Sequence, residues 1–156
     1  MVDLNSKIYV AGHRGLVGSA IIRKLKEKGY KNIIYSNREK LNLTNQLQVY
    51  KFLKKKKPDF VFIAAAKVGG ILDNNSYKAD YITENLLIQT NLIQGSYLYG
   101  VKNLIFLGSS CVYPKNCKQP IKEKYLLTGS LEETNDAYSV AKIAGIKMCE
   151  SYNEQY

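Results

Sequence analysis

The sequence predicts an α/β fold built on a parallel sheet, and three observations support this. Short apolar runs recur along the chain, as in Lys7-Ile8-Tyr9-Val10-Ala11 and Asp59-Phe60-Val61-Phe62-Ile63-Ala64. Each is followed by a stretch whose apolar residues return at helical spacing. Glycine and proline mark the joins. Strand–helix–strand alternation requires crossover connections, which make the strands parallel and put helices on both faces, giving three layers. The crossovers are expected to be right-handed.

The elements follow in order. Lys7–Ala11 reads as the first strand. Leu16–Lys28 carries Val17, Ala20, Ile21 and Leu25 on one helical face, and Gly29 stops it. Asn32–Ser36 is the second strand. Thr44–Lys56 is a helix with Leu47, Val49, Tyr50, Phe52 and Leu53, closed by Pro58. Asp59–Ala64 is the third strand. A loop with Gly69-Gly70 leads to a long helix from about Lys78 to Tyr99, ended by Gly100. Lys102–Leu107 is the fourth strand. Gly108 to Asp136 reads as irregular, with Pro114, Pro120 and Gly129, and the last helix starts near Ala137 and runs to the chain end. An end inside a helix is read as the N-terminal portion of a larger protein, with the sheet incomplete on its C-terminal side.

Bulk properties narrow the function classes. The 156 residues suffice for one domain with a core. The 46% apolar and 23% charged content is that of a soluble globular protein. No apolar run approaches the ~20 residues of a membrane span, and the start has no signal-peptide core, so a cytoplasmic protein without membrane partners is expected. Cys111, Cys117 and Cys149 form no CxxC pair and His13 is the one histidine, so no metal site is expected and the thiols are expected to be reduced. The net charge of +10 comes largely from scattered lysines, with a run at Lys54–Lys57 on a helix end. No recognition motif accompanies it, so nucleic acid is not an expected partner.

Three motifs carry chemistry. Strand one runs into Gly12-His13-Arg14-Gly15-Leu16-Val17-Gly18, a GxxGxxG turn opening a helix. Glycines there permit a tight turn and a close backbone approach to a pyrophosphate seated at the helix N-terminus. The pattern predicts a dinucleotide-binding Rossmann-type sheet, doubly wound. After strand two, where an acidic residue would bind the ribose 2′-hydroxyl of NAD, stands Ser36-Asn37-Arg38. Arg38, with Arg14, suits the extra phosphate of NADP, although Glu39 is close by. The alternative for Arg38 is a solvated loop arginine. Asn42 and Leu43 are candidates to flank the adenine. Ala64, Ala65 and Ala66 end strand three with side chains small enough for a cofactor to lie close, although packing alone also explains them.

The second motif is Gly108-Ser109-Ser110-Cys111-Val112-Tyr113-Pro114 at the end of strand four. On extended backbone Ser109 and Cys111 point the same way, into one cleft. A turn with a buried thiol is the alternative. The third is Tyr138-Ser139-Val140-Ala141-Lys142, a YxxxK pair sharing a helix face. Ketone reduction needs a proton on oxygen, and a neighbouring ammonium is expected to lower the phenol pKa toward neutrality.

Glycine turn, strand-end serine and YxxxK in that order resemble the extended short-chain dehydrogenase/reductase superfamily. Val10–Ala20, Ala64–Ile71, Leu107–Lys115 and Ala141–Lys147 resemble, more specifically, the GDP-L-fucose synthase family. That resemblance implies an NADPH-dependent conversion of GDP-4-keto-6-deoxymannose to GDP-L-fucose: epimerisation at C3 and C5, then reduction of the C4 ketone. It implies Tyr138 as proton donor, Lys142 and Ser109 as its supports, and Cys111 as the epimerisation base. The implied cofactor contacts are Gly12, His13, Arg14, Gly15, Leu16, Val17 and Gly18, then Arg38, Asn42, Leu43 and Ala64–Ala66, and finally Leu107, Gly108, Ser109, Ser110 and Lys142. It also implies a homodimer. Residues 1–156 then correspond to the N-terminal portion of the NAD(P)-binding Rossmann domain, without the nucleotide-sugar domain and the epimerase's histidine acid, so activity of the isolated chain is open. A catalytically silent NADP-binding or assembly module and a related nucleotide-sugar epimerase or dehydratase are the alternatives.

Overall fold

The computed structural model describes residues 3–156. Four parallel strands form one sheet: β1 (Ile8–Ala11), β2 (Ile33–Ile34), β3 (Phe60–Ile63) and β4 (Asn103–Phe106). Their order is β2-β1-β3-β4. The chain moves from β1 outward to β2 and then returns to β3 on the other side of β1. The crevice outside the carboxyl ends of β1 and β3 is therefore the topological switch point, where open α/β sheets place ligands. The register pairs Ala11 with Ile63, so both strands end level there.

Two compact units make up the chain. The first comprises the described residues up to Ala66 together with Leu87–Leu107. It holds the whole sheet, α1 (Leu16–Glu27) and α2 (Gln46–Lys56). Every residue of β1 is buried, while the outer strand β4 leaves Ile105 half-exposed. Tyr9 stacks at a tilt on Phe52 and is fully buried, which pushes its phenol pKa far up. α2 starts at Gln46 because the Asn45 side chain accepts from the Gln48 backbone N–H at 3.0 Å, an N-cap. It stops at Lys57, which takes the left-handed conformation just before Pro58. β2 is shorter than the expected Asn32–Ser36, since only Ile33 and Ile34 pair with β1.

The second unit comprises Lys67–Leu86 and Gly108–Tyr156. It holds α3 (Ile71–Ser76), most of the first half of α4 (Lys78–Leu98) and α5 (Asp136–Gln155). α3 falls where the sequence suggested only a loop. Six residues carry no helical periodicity to read, but Gly70 precedes the helix and Asn74 donates to the Gly69 and Gly70 carbonyls, closing the turn. α4 carries a row of buried polar residues, Asn85, Gln89, Asn91 and Ser96, and Gly100 follows with φ +74°. Ser110–Val112 and Glu123–Tyr125 are single 3-10 turns within the stretch read as irregular.

Candidate active site

The first unit carries the glycine turn. Gly12 has φ +84°, and a Cβ there would fall 2.6 Å from the Ala65 backbone N. A Cβ on Gly18 would collide with the Gly12 carbonyl oxygen. Gly15 has room, its nearest neighbour being Gly12 O at 3.4 Å, and it caps α1 with no side chain on the free N–H groups. The turn, the alanine end of β3 and an uncapped helix start thus form a cradle of backbone at the switch point. Its uncapped backbone donors and its closeness of approach suit an anionic pyrophosphate. His13 stacks on Tyr35 with ring centroids 4.9 Å apart, and Arg14, Leu16, Val17 and Arg38 are exposed. Asn42 turns its side-chain oxygen to the Thr44 backbone N–H (3.1 Å) and hydroxyl (2.9 Å), and the Leu43 carbonyl accepts from Asn91 at 2.9 Å. The loop expected beside the adenine is therefore fixed by its own hydrogen bonds. Leu107 continues β4, its N–H donating to the Ile63 carbonyl.

All four expected catalytic residues lie in the second unit. Ser109 is extended, but Ser110–Val112 coils into a 3-10 turn, so the Ser109–Cys111 alternation expected from a strand does not hold. The two side chains meet nonetheless, with the Cys111 thiol donating to Ser109 Oγ at 3.1 Å. Ser110 and Gly108 face solvent. Lys142 Nζ lies 5.8 Å from the centre of the Tyr138 ring, as the i, i+4 spacing predicts.

The electrostatics differ from the expected. The Tyr138 phenol is held above its ordinary pKa, first by burial and then by the Cys111 charge, while a hydrogen bond from Ser109 opposes both. Lys142 does not bring it down toward neutrality. Lys142 is itself 4% exposed, and burial lowers its pKa to about 8, with Cys111 pulling the other way. An ammonium that pays desolvation at this depth is a weak acidifier of its neighbour. The phenol is thus held protonated, the state a proton donor requires.

Lys142 makes stability depend on pH. Between about 8 and the ordinary 10.5, the folded state binds fewer protons than the unfolded one, so stability rises with pH. The gap is worth roughly 3 kcal/mol at most. Above pH ~10 the buried Tyr9 and Tyr138 phenols resist ionisation and reverse the trend. Urea unfolding between pH 8 and 10 is expected to show a rise in the wild-type chain that Lys142→Met removes, leaving the opposing slope of the Cys149 thiol, which burial pushes up; parallel profiles would refute the assignment.

Sequence reading missed one cluster. Asn85 accepts from the Lys67 backbone N–H at 2.8 Å and donates to the Lys67 and Tyr81 carbonyls, clamping the loop after Ala66. Lys67 Nζ pairs with Glu84 at 3.0 Å and Asp80 at 3.4 Å, and Tyr81 hydrogen-bonds Asp73. No apolar period marks the cluster, because Asn85 stands with Gln89, Asn91 and Ser96 among the buried polar residues of the same helix. Among the described residues, no group of three or more His, Cys, Asp or Glu is placed to hold a metal. No helix there is long and apolar enough to cross a membrane, and the three cysteines are free thiols.

Comparison with known proteins places this geometry. The model of the NAD dependent epimerase/dehydratase family matches residues 8–156. The chain belongs to that family. Within it, GDP-L-fucose synthase 1 of Arabidopsis thaliana is 57% identical over 156 residues, covering 100% of this chain and 48% of the relative. The chain therefore spans about half the length of the curated relatives it matches. A GDP-D-glycero-L-gluco-heptose synthase of Campylobacter jejuni, solved in the presence of NADPH, superposes with a TM-score of 0.97 at 46% identity, covering 100% of this chain and 46% of that one. A GDP-L-fucose synthetase of Naegleria fowleri, solved bound to NADP, gives a TM-score of 0.89 at 27% identity, over 99% of this chain and 46% of that one. The expected Rossmann-type α/β fold with a parallel sheet is the fold of these family members.

Proposed function

We propose that this chain is the cofactor-binding portion of an enzyme that converts GDP-4-keto-6-deoxy-D-mannose to GDP-L-fucose with NADPH. The observation that carries the reading is the convergence of a thiol and a phenol on one serine hydroxyl, with a buried lysine beside them. The names of the family members above support the substrate class and the cofactor.

In this reading the backbone of Gly12–Gly18 holds the pyrophosphate, and Arg14 and Arg38 hold the 2′-phosphate. Small side chains at Ala64–Ala66, with Asn42, Leu43, Leu107, Gly108 and Ser110, line the remainder, and Lys142 holds the nicotinamide ribose. When bound, the nicotinamide supplies hydride to the C4 carbonyl carbon. Tyr138 gives its phenolic proton to the C4 oxygen, and Ser109 donates a hydrogen bond to that oxygen. Cys111 as thiolate takes the proton at C3 and at C5 in turn, each acidic because the adjacent ketone delocalises the resulting charge onto the same oxygen, and an acid from outside these residues returns a proton to the opposite face of each carbon. One hydroxyl pair thus serves both steps.

Calorimetric titration of the chain with NADPH tests the cofactor reading, and saturable binding is the expected outcome. NADPH absorbance with GDP-4-keto-6-deoxymannose tests turnover. Cys111→Ser is expected to abolish solvent deuterium incorporation at C3 and C5. Unchanged incorporation in that variant would remove the thiol from the mechanism.

A second reading, reduction of a GDP-keto-heptose, has support from the 46% identity to the Campylobacter jejuni heptose synthase. A panel of both sugars separates them by relative kcat/KM. The chain is further proposed to be cytoplasmic and to act as a homodimer. Leu87, Tyr97 and Leu98 on α4 are each more than two-fifths exposed, as an apolar association face would be. A monomeric sedimentation coefficient at micromolar concentration would reject the dimer.

A further inference from the structure

The residues just before α5 are half-buried or exposed, and none is fully buried. Leu127, Gly129–Leu131, Glu133 and Asp136 border an open groove of about 480 Å³, with Val140 and Ile143 as its floor. Yet this stretch leads, within two residues of Asp136, to Tyr138. The buried face of α5 begins at Ser139, one residue beyond the phenol, so the approach to Tyr138 is set by polar contacts as well as by packing.

Two lysines from other parts of the second unit grip the stretch. Lys115 Nζ pairs with Glu132 at 2.8 Å, and the Lys115 backbone N–H donates to the Ser130 carbonyl at 2.9 Å. Lys115 lies four residues after Cys111, and Val112 between them is buried and anchors the turn. Glu132 in turn accepts from the Thr134 backbone N–H and hydroxyl. At the other end, Lys78, the first residue of α4, donates to the Asp136 carboxylate at 2.9 Å and to the Glu133 carbonyl. The Asp136 carboxylate also accepts from the Ala137 backbone N–H at 2.7 Å, inside the first turn of α5. The pairing holds the Glu132 and Asp136 carboxyls below their ordinary range and Lys115 above its own.

We propose that Lys115 and Lys78 are positioning residues that tie the start of α5 to the Ser109–Cys111 turn and to α4, and so fix Tyr138 against Ser109. Neither lysine touches the reacting atoms. Both pairs are half-exposed, and ion pairs open to solvent contribute little to global stability. Their effect is therefore local: the orientation of one phenol. The inference rests on the reading of Tyr138 as proton donor, but its test needs neither cofactor nor turnover.

The experiment places 3-fluorotyrosine at position 138 of the full chain and follows its fluorine resonance through a pH titration. The fluorinated phenol is more acidic than tyrosine, which brings its titration within reach of the folded chain. Ser109→Ala calibrates the loss of the Ser109 hydrogen bond and is expected to raise the midpoint. Lys115→Met, Glu132→Gln and Lys78→Met are each expected to raise it by at least half as much, with unfolding midpoints at wild-type values. The reversed pair Lys115→Glu with Glu132→Lys is expected to restore the wild-type midpoint, which a merely lost side chain would not. Wild-type titration in all three single variants, alongside a responsive Ser109→Ala, overturns the proposal. A silent Ser109→Ala also overturns it, because there is then no contact to position. A responsive resonance in a chain that neither binds NADPH nor turns over keeps the positioning and rejects the functional reading alone.

Discussion

Tyr138→Phe is expected to abolish ketone reduction while leaving NADPH binding intact. The phenol is the one group beside Ser109 that is kept protonated, by burial and by the Cys111 charge, and that can release its proton to a substrate oxygen. General acid catalysis of this kind contributes about 10²–10⁴-fold, or roughly 3–5 kcal/mol of barrier. Phenylalanine fills the same space without the hydroxyl, so packing on α5 is retained. Ser109 would keep its hydrogen bond with the Cys111 thiol. Proton exchange at C3 and C5 keeps Ser109 as one of its two enolate donors and is accordingly expected to slow but survive in Tyr138→Phe when reduction does not. The measurement is NADPH oxidation alongside deuterium incorporation on the same substrate. Reduction at the wild-type rate would remove Tyr138 from the mechanism. Loss of both signals together would show that the phenol carries most of the enolate charge and Ser109 little of it.

The same tyrosine shows where sequence reasoning succeeds and where it fails. Its place opposite Lys142 follows from helical spacing alone, and the sheet follows from apolar runs and their punctuation. Both depend on short-range geometry that a linear sequence encodes. The direction of its pKa does not, because desolvation depends on how much of the fold surrounds the phenol and the ammonium. Ser109 and Cys111 illustrate an intermediate case. Their side chains do meet, but through a 3-10 turn and not through strand alternation. α3 and the Asn85 clamp were invisible because their determinants are hydrogen bonds between residues 4 to 18 positions apart with no hydrophobic period. The lysine grips on Glu132 and Asp136 join residues 17 and 58 apart, and in sequence they are merely charges in a basic protein.

The glycine turn makes a second large effect, and its three glycines are expected to behave differently. Gly18→Ala drives a methyl group into the Gly12 carbonyl, which belongs to the backbone and cannot rotate away. Overpacking of this kind costs about 1–3 kcal/mol, roughly 2–12 °C in the unfolding temperature of a domain this size. Gly12→Ala meets the Ala65 backbone N at 2.6 Å and also holds a side chain at φ +84°, so left-handed strain of roughly 1–2 kcal/mol is added. Gly12→Ala pushes the turn away from the end of β3, and Gly18→Ala pushes α1 away from the turn; either opens the cradle at the switch point, so NADPH affinity is expected to fall along with stability. Gly15→Ala finds its nearest neighbour at 3.4 Å, an ordinary contact, and its φ is −71°. The unfolding temperature of Gly15→Ala is therefore expected at the wild-type value. Its NADPH affinity is expected to drop all the same, because the new methyl stands where the phosphates approach the helix start. Stability lost at Gly12 and Gly18, with affinity alone lost at Gly15, separates a turn built for packing from a turn built for a ligand. Wild-type NADPH affinity in Gly15→Ala would place the phosphates elsewhere.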